Sequence, residues 1–169
     1  MGRIGQAVGA RAAALGMQVA YAGHHDVTTP YVSRRLPIDE LFARVDVLSL
    51  HCPLTPETRK LVNAERLARM KPTAIVINTA RGGCVDDVAL ADALERGTIF
   101  AAALDVFDGE PAIHPRLLAA PRLVLAPHLG SATTQTRTQM AQLCADGVLA
   151  VLAGDRPANL VNREVVIRG

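Results

Sequence analysis

Three residues in this sequence could together hold an anion and move a proton: Arg81, Glu110 and His128. Each follows a short apolar run. Arg81 lies in Asn78-Thr79-Ala80-Arg81-Gly82-Gly83, Glu110 in Asp105-Val106-Phe107-Asp108-Gly109-Glu110-Pro111, and His128 in Pro127-His128-Leu129-Gly130-Ser131-Ala132-Thr133. A guanidinium offers a planar fork that matches a carboxylate, and two glycines behind it let backbone approach a ligand. A carboxylate beside an imidazole favours the imidazolium. Such a cation is a general acid able to protonate a carbonyl oxygen while hydride reaches the carbon. Taken singly, an Arg there is as readily a surface ion-pair partner, and a lone His is more often structural. Three complementary groups on consecutive strand ends shift that balance, because ligands of open parallel sheets bind beyond the carboxyl ends of the strands.

A second set is backbone rather than side chain. Gly2 and Gly5 have the spacing of the second and third glycines of G-x-G-x-x-G, with Met1 in the variable place and the first glycine one residue before Met1. Backbone N–H groups around Arg3 and Ile4, at a helix N-terminus, would hold a pyrophosphate. Two glycines at this spacing are a weak signal alone. Cys52, Cys84 and Cys144 are odd in number, far apart in sequence and without C-x-x-C spacing, so they read as small buried or half-buried hydrophobes. Adjacent strand residues face opposite ways, so His51 and Cys52 would not make a nucleophile pair. No metal site is indicated.

The elements that must position these groups alternate in type. A helix over 6–15 stops at Gly16, a strand covers 17–21, a short helix 38–43 and a strand 46–51. A helix over 63–70 with Asn63 as cap precedes an apolar strand over 73–78; a helix over 86–96 closes at Gly97 before a strand over 99–105. A last strand covers 123–126 and a long helix 133–153. Five strands alternating with helices predict an α/β fold, a doubly wound parallel sheet with helices on both faces. The strand that should feed the glycine loop is absent. The strands around Val19 and Ile75 would then each expose an unpaired edge to a slot, which predicts poor solubility and no activity for the isolated chain. A start at an internal Met would account for it.

Length and composition agree with one such domain. The chain has 169 residues, half of them hydrophobic and a fifth charged, enough apolar material for a packed core. A net charge of +2 is too small to imply a polyanionic partner, and 3% aromatics with no Trp argue against a base-stacking surface, so no nucleic-acid partner is expected. No membrane span or signal segment is evident, and a cytoplasmic protein is expected.

The five ordered blocks Gly2-Arg3-Ile4-Gly5, His51-Cys52-Pro53-Leu54-Thr55-Pro56-Glu57-Thr58, 78–83, 105–111 and 127–133 make the chain resemble the nucleotide-binding domain of the D-isomer-specific 2-hydroxyacid dehydrogenases, from Met1 to about Val161. The resemblance implies a Rossmann-type domain over 1–156, lacking its first, central strand, and a tail over 157–169 whose Val165-Val166-Ile167 would return to an absent substrate domain. It implies that Arg81 holds the carboxylate and carbonyl of a small 2-oxo acid, that His128 is the acid/base, and that Glu110 orients it and keeps it charged. It further implies that Thr79, Ala80, Arg81 and Asp105 lie along the nicotinamide half of the cofactor, with His128 and Gly130 at the same end. Pro53 and Leu54 would border the adenine side, with Thr58 close by, and Gly2, Arg3, Ile4 and Gly5 the pyrophosphate.

The resemblance leaves the cofactor as NADP or NAD. NAD-preferring members carry an acid at the end of the second strand, where this chain has Ala22, then Gly23, His24, His25 and Asp26. The missing acid and nearby imidazoles lean toward NADP, with His24 near a 2′-phosphate, although Asp26 could reach the ribose by another loop path. The implied reaction is hydride transfer between the cofactor and a small D-2-hydroxy acid or 2-oxo acid, such as glyoxylate or hydroxypyruvate, by a homodimer. The rivals are a dinucleotide-sensing, corepressor-like module and a non-functional fragment. The absence of basic runs favours the enzyme.

Overall fold

The structure is a computed structural model that describes residues 1–162, 164 and 165. The chain divides into two compact units, Met1–Pro127 and His128–Gly169. In the first, helix α1 (Arg3–Ala14) leads to strand β1 (Val19–Tyr21) and strand β2 (Ser33–Arg35). Helix α2 (Ile38–Arg44), strand β3 (Val47–Leu50), helix α3 (Ala64–Arg69) and strand β4 (Ile75–Asn78) follow. A 3-10 turn, Gly82–Cys84, precedes helix α4 (Asp87–Glu95), strand β5 (Ala101–Leu104), helix α5 (Pro115–Ala119) and strand β6 (Leu123–Leu125). The second unit carries helix α6 (Thr134–Leu152).

The strands pair in parallel. β1 pairs with β2, and β3, β4, β5 and β6 form a second sheet in that order, with Leu50 opposite Asn78 and Asn78 opposite Leu104. A parallel pair needs a crossover, which α3, α4 and α5 supply in the second sheet, and α2 to α5 pack side by side in chain order. Their buried side chains Phe42, Leu67, Leu90, Leu94 and Leu117 meet Leu48, Leu50, Val76, Ala102 and Leu104 of the sheet in one core. The cap expected at Asn63 is made, and the starts of α4 and α6 are capped in the same way. Asn63 Oδ1 accepts from Arg66 N at 3.0 Å, and Asp86 Oδ1 accepts from Ala89 N at 3.2 Å. Thr133 Oγ1 accepts from Thr136 N at 3.1 Å at the start of α6. Gly16 (φ +82°) and Gly97 (φ +69°) end their helices in the left-handed conformation that a side chain disfavours.

The α/β, Rossmann-type architecture of parallel strands and helices is the one the sequence predicts, with two corrections. The first is an unread strand. Ser33-Arg34-Arg35 is polar and only three residues long, so no apolar alternation marks β2, yet it pairs in register with Val19-Ala20-Tyr21. The second follows from the first. Counting from five strands puts Ile75 at the open edge, but β4 is paired on both sides, with β3 and with β5. The open edges that face the gap belong to β1 and β3, and among the described residues no strand joins them. The start of α1 lies between the carboxyl ends of these two strands. A Cβ on Gly23, just past β1, would stand 3.1 Å from Met1 N, and one on Gly5 would stand 3.6 Å from Cβ of His51, just past β3.

Smaller differences concern ends. α1 begins at Arg3 rather than Gln6, because Gly2 in extended conformation starts the helix before the Ala-rich run does. Helix α5, five residues long with Pro115 in its first turn, is too short for periodicity to mark. Of the returning strand expected at Val165-Val166-Ile167, Val166 and Ile167 lie outside the described residues.

Candidate functional site

Arg81 stands on a turn that the end of β4 builds around one buried amide. Asn78 is fully buried; its Oδ1 accepts from Ala80 N at 3.0 Å and its Nδ2 donates to Arg81 O at 2.9 Å. The same residue's backbone carbonyl accepts from Asp105 N at 2.9 Å, so the ends of β4 and β5 are fixed to each other. The exposed Arg81 extends from the 3-10 turn, with its Nη1 donating to Ala80 O at 2.6 Å. Thr79 is exposed and Ala80 buried.

The loop after β5 is interlocked with that turn. A Cβ on Gly82 would overlap the carbonyl group of Phe107 and the amide nitrogen of Asp108, so only glycine lets the two backbones pass. Phe107 N in turn donates to Glu110 Oε1 at 2.9 Å, which sets the Glu110 carboxylate just beyond the crossing point. Asp105 is buried at the end of β5. Arg81 and Glu110 are therefore carried by two loops locked together through Gly82. His128 opens the second unit and is described with it: it has a positive φ of +54°, and Ala132 N donates to Leu129 O at 2.9 Å before the Thr133 cap.

Residues expected at the far end of a cofactor lie around the carboxyl ends of β1 and β3. Pro53 and Leu54 are exposed. Leu54 also rests on the 3-10 turn, since a Cβ on Gly83 would lie 3.0 and 3.2 Å from its two methyl carbons. Thr58 folds this loop rather than pointing away from it: its Oγ1 accepts from Thr55 N at 2.8 Å and donates to Pro53 O at 2.6 Å. His51 Nε2 lies 2.9 Å from Ser49 Oγ, and burial pulls its pKa below the usual imidazole value. The Glu57 carboxyl is held below the usual range chiefly by a hydrogen bond from the Thr55 side chain, with a smaller contribution from His24. His24 and His25 are both exposed, with ring centroids 6.4 Å apart. Asp26, which the sequence leaves free to reach a ribose, is 3.2 Å from Arg35 on β2.

A concavity of about 410 Å³ lies elsewhere, lined by Lys60, Asp86, Asp87, Asp108 and His114 among others. Lys60 pairs with Asp86 at 3.0 Å, Arg59 pairs with Asp108 at 3.4 Å, and none of the residues given a chemical role by the sequence lines it. Burial and the nearby Asp108 raise the Asp87 carboxyl. Among the described residues no group of three or more His, Cys, Asp or Glu could hold a metal ion.

This arrangement of a glycine-started helix between two parallel strands, with an Arg turn locked to an acidic loop, has known counterparts. A family model of the D-isomer specific 2-hydroxyacid dehydrogenase NAD binding domain matches residues 1–130. The chain belongs to this family. A glyoxylate reductase of Thermococcus onnurineus is 46% identical over 170 residues, covering 98% of this chain and 50% of that protein. The TT0316 protein of Thermus thermophilus superposes with a TM-score of 0.88 at 51% identity, over 95% of this chain and 51% of that one. An NADPH-dependent glyoxylate/hydroxypyruvate reductase of Sinorhizobium meliloti, solved with NADP and malonate, superposes with a TM-score of 0.89 at 34% identity, over 99% of this chain and 53% of that one. The chain spans about half the length of the curated relatives it matches.

As a dehydrogenase nucleotide domain, the chain has residues that fit a nicotinamide dinucleotide. Gly2 caps α1 without a side chain, a Cβ there would meet open space, and the helix presents the N–H groups of its first turn. Gly5 is buried against Met1 and His51, the close helix–strand approach that the third glycine of the fingerprint permits. Asn78 and the pair Arg34 and Arg35 are what sequence reasoning missed, and Gly82 and Gly83, expected to let backbone approach a ligand, are instead buried against Phe107, Asp108 and Leu54. One polar residue closing an apolar strand was a signal for Asn78; for Gly82 and the two arginines the decisive neighbour is distant in sequence. No described helix is long and apolar enough to cross a membrane.

Proposed function

We propose that this chain is the dinucleotide-binding part of an NAD(P)-dependent oxidoreductase that interconverts a small 2-oxo acid, glyoxylate or hydroxypyruvate, and its D-2-hydroxy acid. The observation that carries this reading is the lock between the Arg81 turn and the Glu110 loop through Gly82, which holds an anion-binding fork and a carboxylate on two neighbouring strand ends. Arg81 binds the substrate carboxylate and fixes the carbonyl, supplying the orientation that a two-reactant transfer needs. His128 gives or takes the proton at the substrate oxygen, and Glu110 is the carboxylate that supports it. When bound, the nicotinamide supplies or receives the hydride. Gly2, Arg3, Ile4 and Gly5 hold the pyrophosphate, Thr79, Ala80, Asp105 and Gly130 border the nicotinamide half, and Pro53, Leu54 and Thr58 shape the adenine side.

NADP is the preferred form in this reading. No carboxylate follows β1 directly, Asp26 is engaged by Arg35, and His24, Arg34 and Arg35 gather positive or protonatable groups where a 2′-phosphate would lie. The reading also includes a cytoplasmic homodimer, supported by α6, which buries no side chain and carries Met140, Leu143, Val148 and Leu149 exposed. The deciding experiment is steady-state reduction of glyoxylate and hydroxypyruvate by the whole enzyme with NADPH and with NADH. Turnover of either acid, faster with NADPH, is expected. At least tenfold preference for NADH overturns the cofactor preference, and dinucleotide binding without turnover of any 2-oxo acid overturns the enzyme reading in favour of a sensor.

A further inference from the structure

Cys52 and Cys84 are 32 residues apart, yet their sulfurs stand 3.8 Å from each other. Cys52 lies between His51 and Pro53 in the loop leaving β3, and Cys84 closes the 3-10 turn after β4. β3 and β4 are parallel neighbours, so these two segments leave the sheet side by side. Backbone hydrogen bonds fasten the frame around them: Lys60 N donates to Gly83 O at 2.8 Å, and Val62 N donates to Cys84 O at 3.0 Å. Strand register and loop hydrogen bonds thus hold the two cysteine-bearing segments side by side. The partners also differ usefully in access. Cys52 is half-buried and reachable, and Cys84 is fully buried behind it.

We propose that Cys52 and Cys84 form a redox-active dithiol that closes reversibly to a disulfide and, in closing, disturbs the Arg81 turn. The oxidant is a low-molecular-weight disulfide of the glutathione class. The Cys52 thiolate attacks one of its sulfurs, forming a mixed disulfide and releasing one small thiolate. The Cys84 thiolate then attacks Cys52 Sγ, forming the protein disulfide and releasing the second small thiolate. The two protons lost by the cysteines end on the two small thiols; the protein is oxidised by two electrons and the small disulfide is reduced. Burial and the adjacent Cys84 push the Cys52 thiol up to about 11, so the first step is slow at neutral pH and speeds up as pH rises. That places the pair among thiols that answer to sustained oxidising conditions and stay reduced otherwise.

Closing the bond must draw the sulfurs together by about 1.8 Å, from 3.8 Å to the ~2.05 Å of a disulfide. Cys52 is followed by Pro53 and Leu54, and Leu54 packs on Gly83, so the contraction acts on the contact between the adenine-side loop and the turn carrying Arg81. This functional consequence rests on the proposed dehydrogenase reading. A displacement on the order of 1 Å at such a site lowers kcat/KM by on the order of 10²-fold.

The test uses the whole enzyme with Cys144→Ser, fully reduced, then treated natively with oxidised glutathione at pH 8.5. The expected result is a Cys52–Cys84 linked peptide by mass spectrometry, an intact mass lower by two hydrogens, reversal by dithiothreitol, and the fall in kcat/KM tracking the linked fraction. In Cys84→Ala, and in Cys84→Ser as an independent variant, Cys52 stops at the mixed disulfide; in Cys52→Ser no link forms. Failure of the wild-type pair to link in folded protein, or linkage only after denaturant, overturns the dithiol. A linked enzyme with unchanged kcat/KM overturns the regulatory part. A reduced enzyme that links normally but reduces no 2-oxo acid leaves the dithiol standing and removes the functional reading instead.

Discussion

Replacing Asn78 with alanine removes the amide that folds the Arg81 turn. In the native protein that side chain is fully buried and satisfies two backbone groups, accepting from Ala80 N at 3.0 Å and donating to Arg81 O at 2.9 Å. Asn78→Ala removes the partner of Ala80 N, which costs about 1–3 kcal/mol for a buried polar group left unmade, whereas Arg81 O loses one bond worth about 0.5–1.5 kcal/mol and keeps the one from Cys84 N at 3.1 Å. Together these predict a loss of about 1.5–4.5 kcal/mol, or roughly 3–18 °C in Tm for a chain of this size. Asn63→Ala is the control. It also deletes an Asn side chain bonded to a backbone N–H, here Arg66 N at 3.0 Å, but at the solvent-accessible start of α3, where the expected loss is about 1 kcal/mol. Urea denaturation of both variants measures the difference. The reasoning fails if Asn78→Ala costs less than about 0.5 kcal/mol, the range of an ordinary surface change, or no more than Asn63→Ala. Steady-state kinetics adds a second readout. Because the freed turn carries Arg81, KM for the oxo acid should rise even at temperatures where the variant remains folded.

Gly82→Ala should be worse than Gly83→Ala. The first sets a Cβ into the backbone of Phe107 and Asp108, which no rotamer relieves, at the upper end of the ~1–3 kcal/mol range for overpacking; the second meets only the Leu54 and Asp108 side chains, which can swing aside. Equal melting temperatures for the two variants would contradict the interlock. His51, whose pKa is lowered by burial, stabilises the fold as a neutral ring: this contribution is complete above the ordinary value of 6.5 and is lost as pH falls through the lower folded-state value. His51→Asn should therefore show a smaller drop in Tm than wild type between pH 7.5 and 5, and an unchanged slope would reject the assignment. Tyr31→Phe removes the bond from its hydroxyl to Gln6 O at 3.0 Å and should cost about 1 kcal/mol in urea denaturation. Gly9→Ala should cost more, since its Cβ would occupy the space of the Tyr31 ring.

What was legible in the sequence is what is encoded locally. Helices α3, α4 and α6 begin where an Asn, Asp or Thr cap precedes an amphipathic run, and each cap bond is made by a side chain three residues from its donor. Apart from Ser49 and Asn78, β3, β4 and β5 are runs of Val, Ile, Leu and Ala long enough to announce a strand buried in a parallel sheet. β2 has neither property. Ser33-Arg34-Arg35 is a strand only because β1 lies beside it, and its side chains are half-buried or exposed. Missing it has a consequence out of proportion to three residues: the count of strands slips by one, and the open edge moves from β3 to β4. It also hides Arg35, whose pairing with Asp26 bears on the choice between the two dinucleotides.

The candidate site was legible in residue type and not in mechanism of support. The sequence singles out Arg81 and Glu110 because they are complementary charged groups that follow consecutive strands. Nothing within a few residues of Gly82 says that Phe107 crosses over it, or that Cys52 will meet Cys84, because both contacts are products of neighbouring strands in register. Composition treated the three cysteines alike, as small hydrophobes. The fold separates them into one exposed, one half-buried and one fully buried, and sets two of those sulfurs 3.8 Å apart. Strand register therefore decides both properties of this region at once: it aligns Asn78 with Leu50 and Leu104 so that three carboxyl ends finish level, and it brings the segments beyond them close enough to bond. A one-residue slip of β3 against β4 would turn side chains to the opposite face, separating the thiols and removing the seat of Leu54 on Gly83 together. The support of Arg81 and the Cys52–Cys84 pair are two consequences of one alignment, and a perturbation of either should be felt by the other.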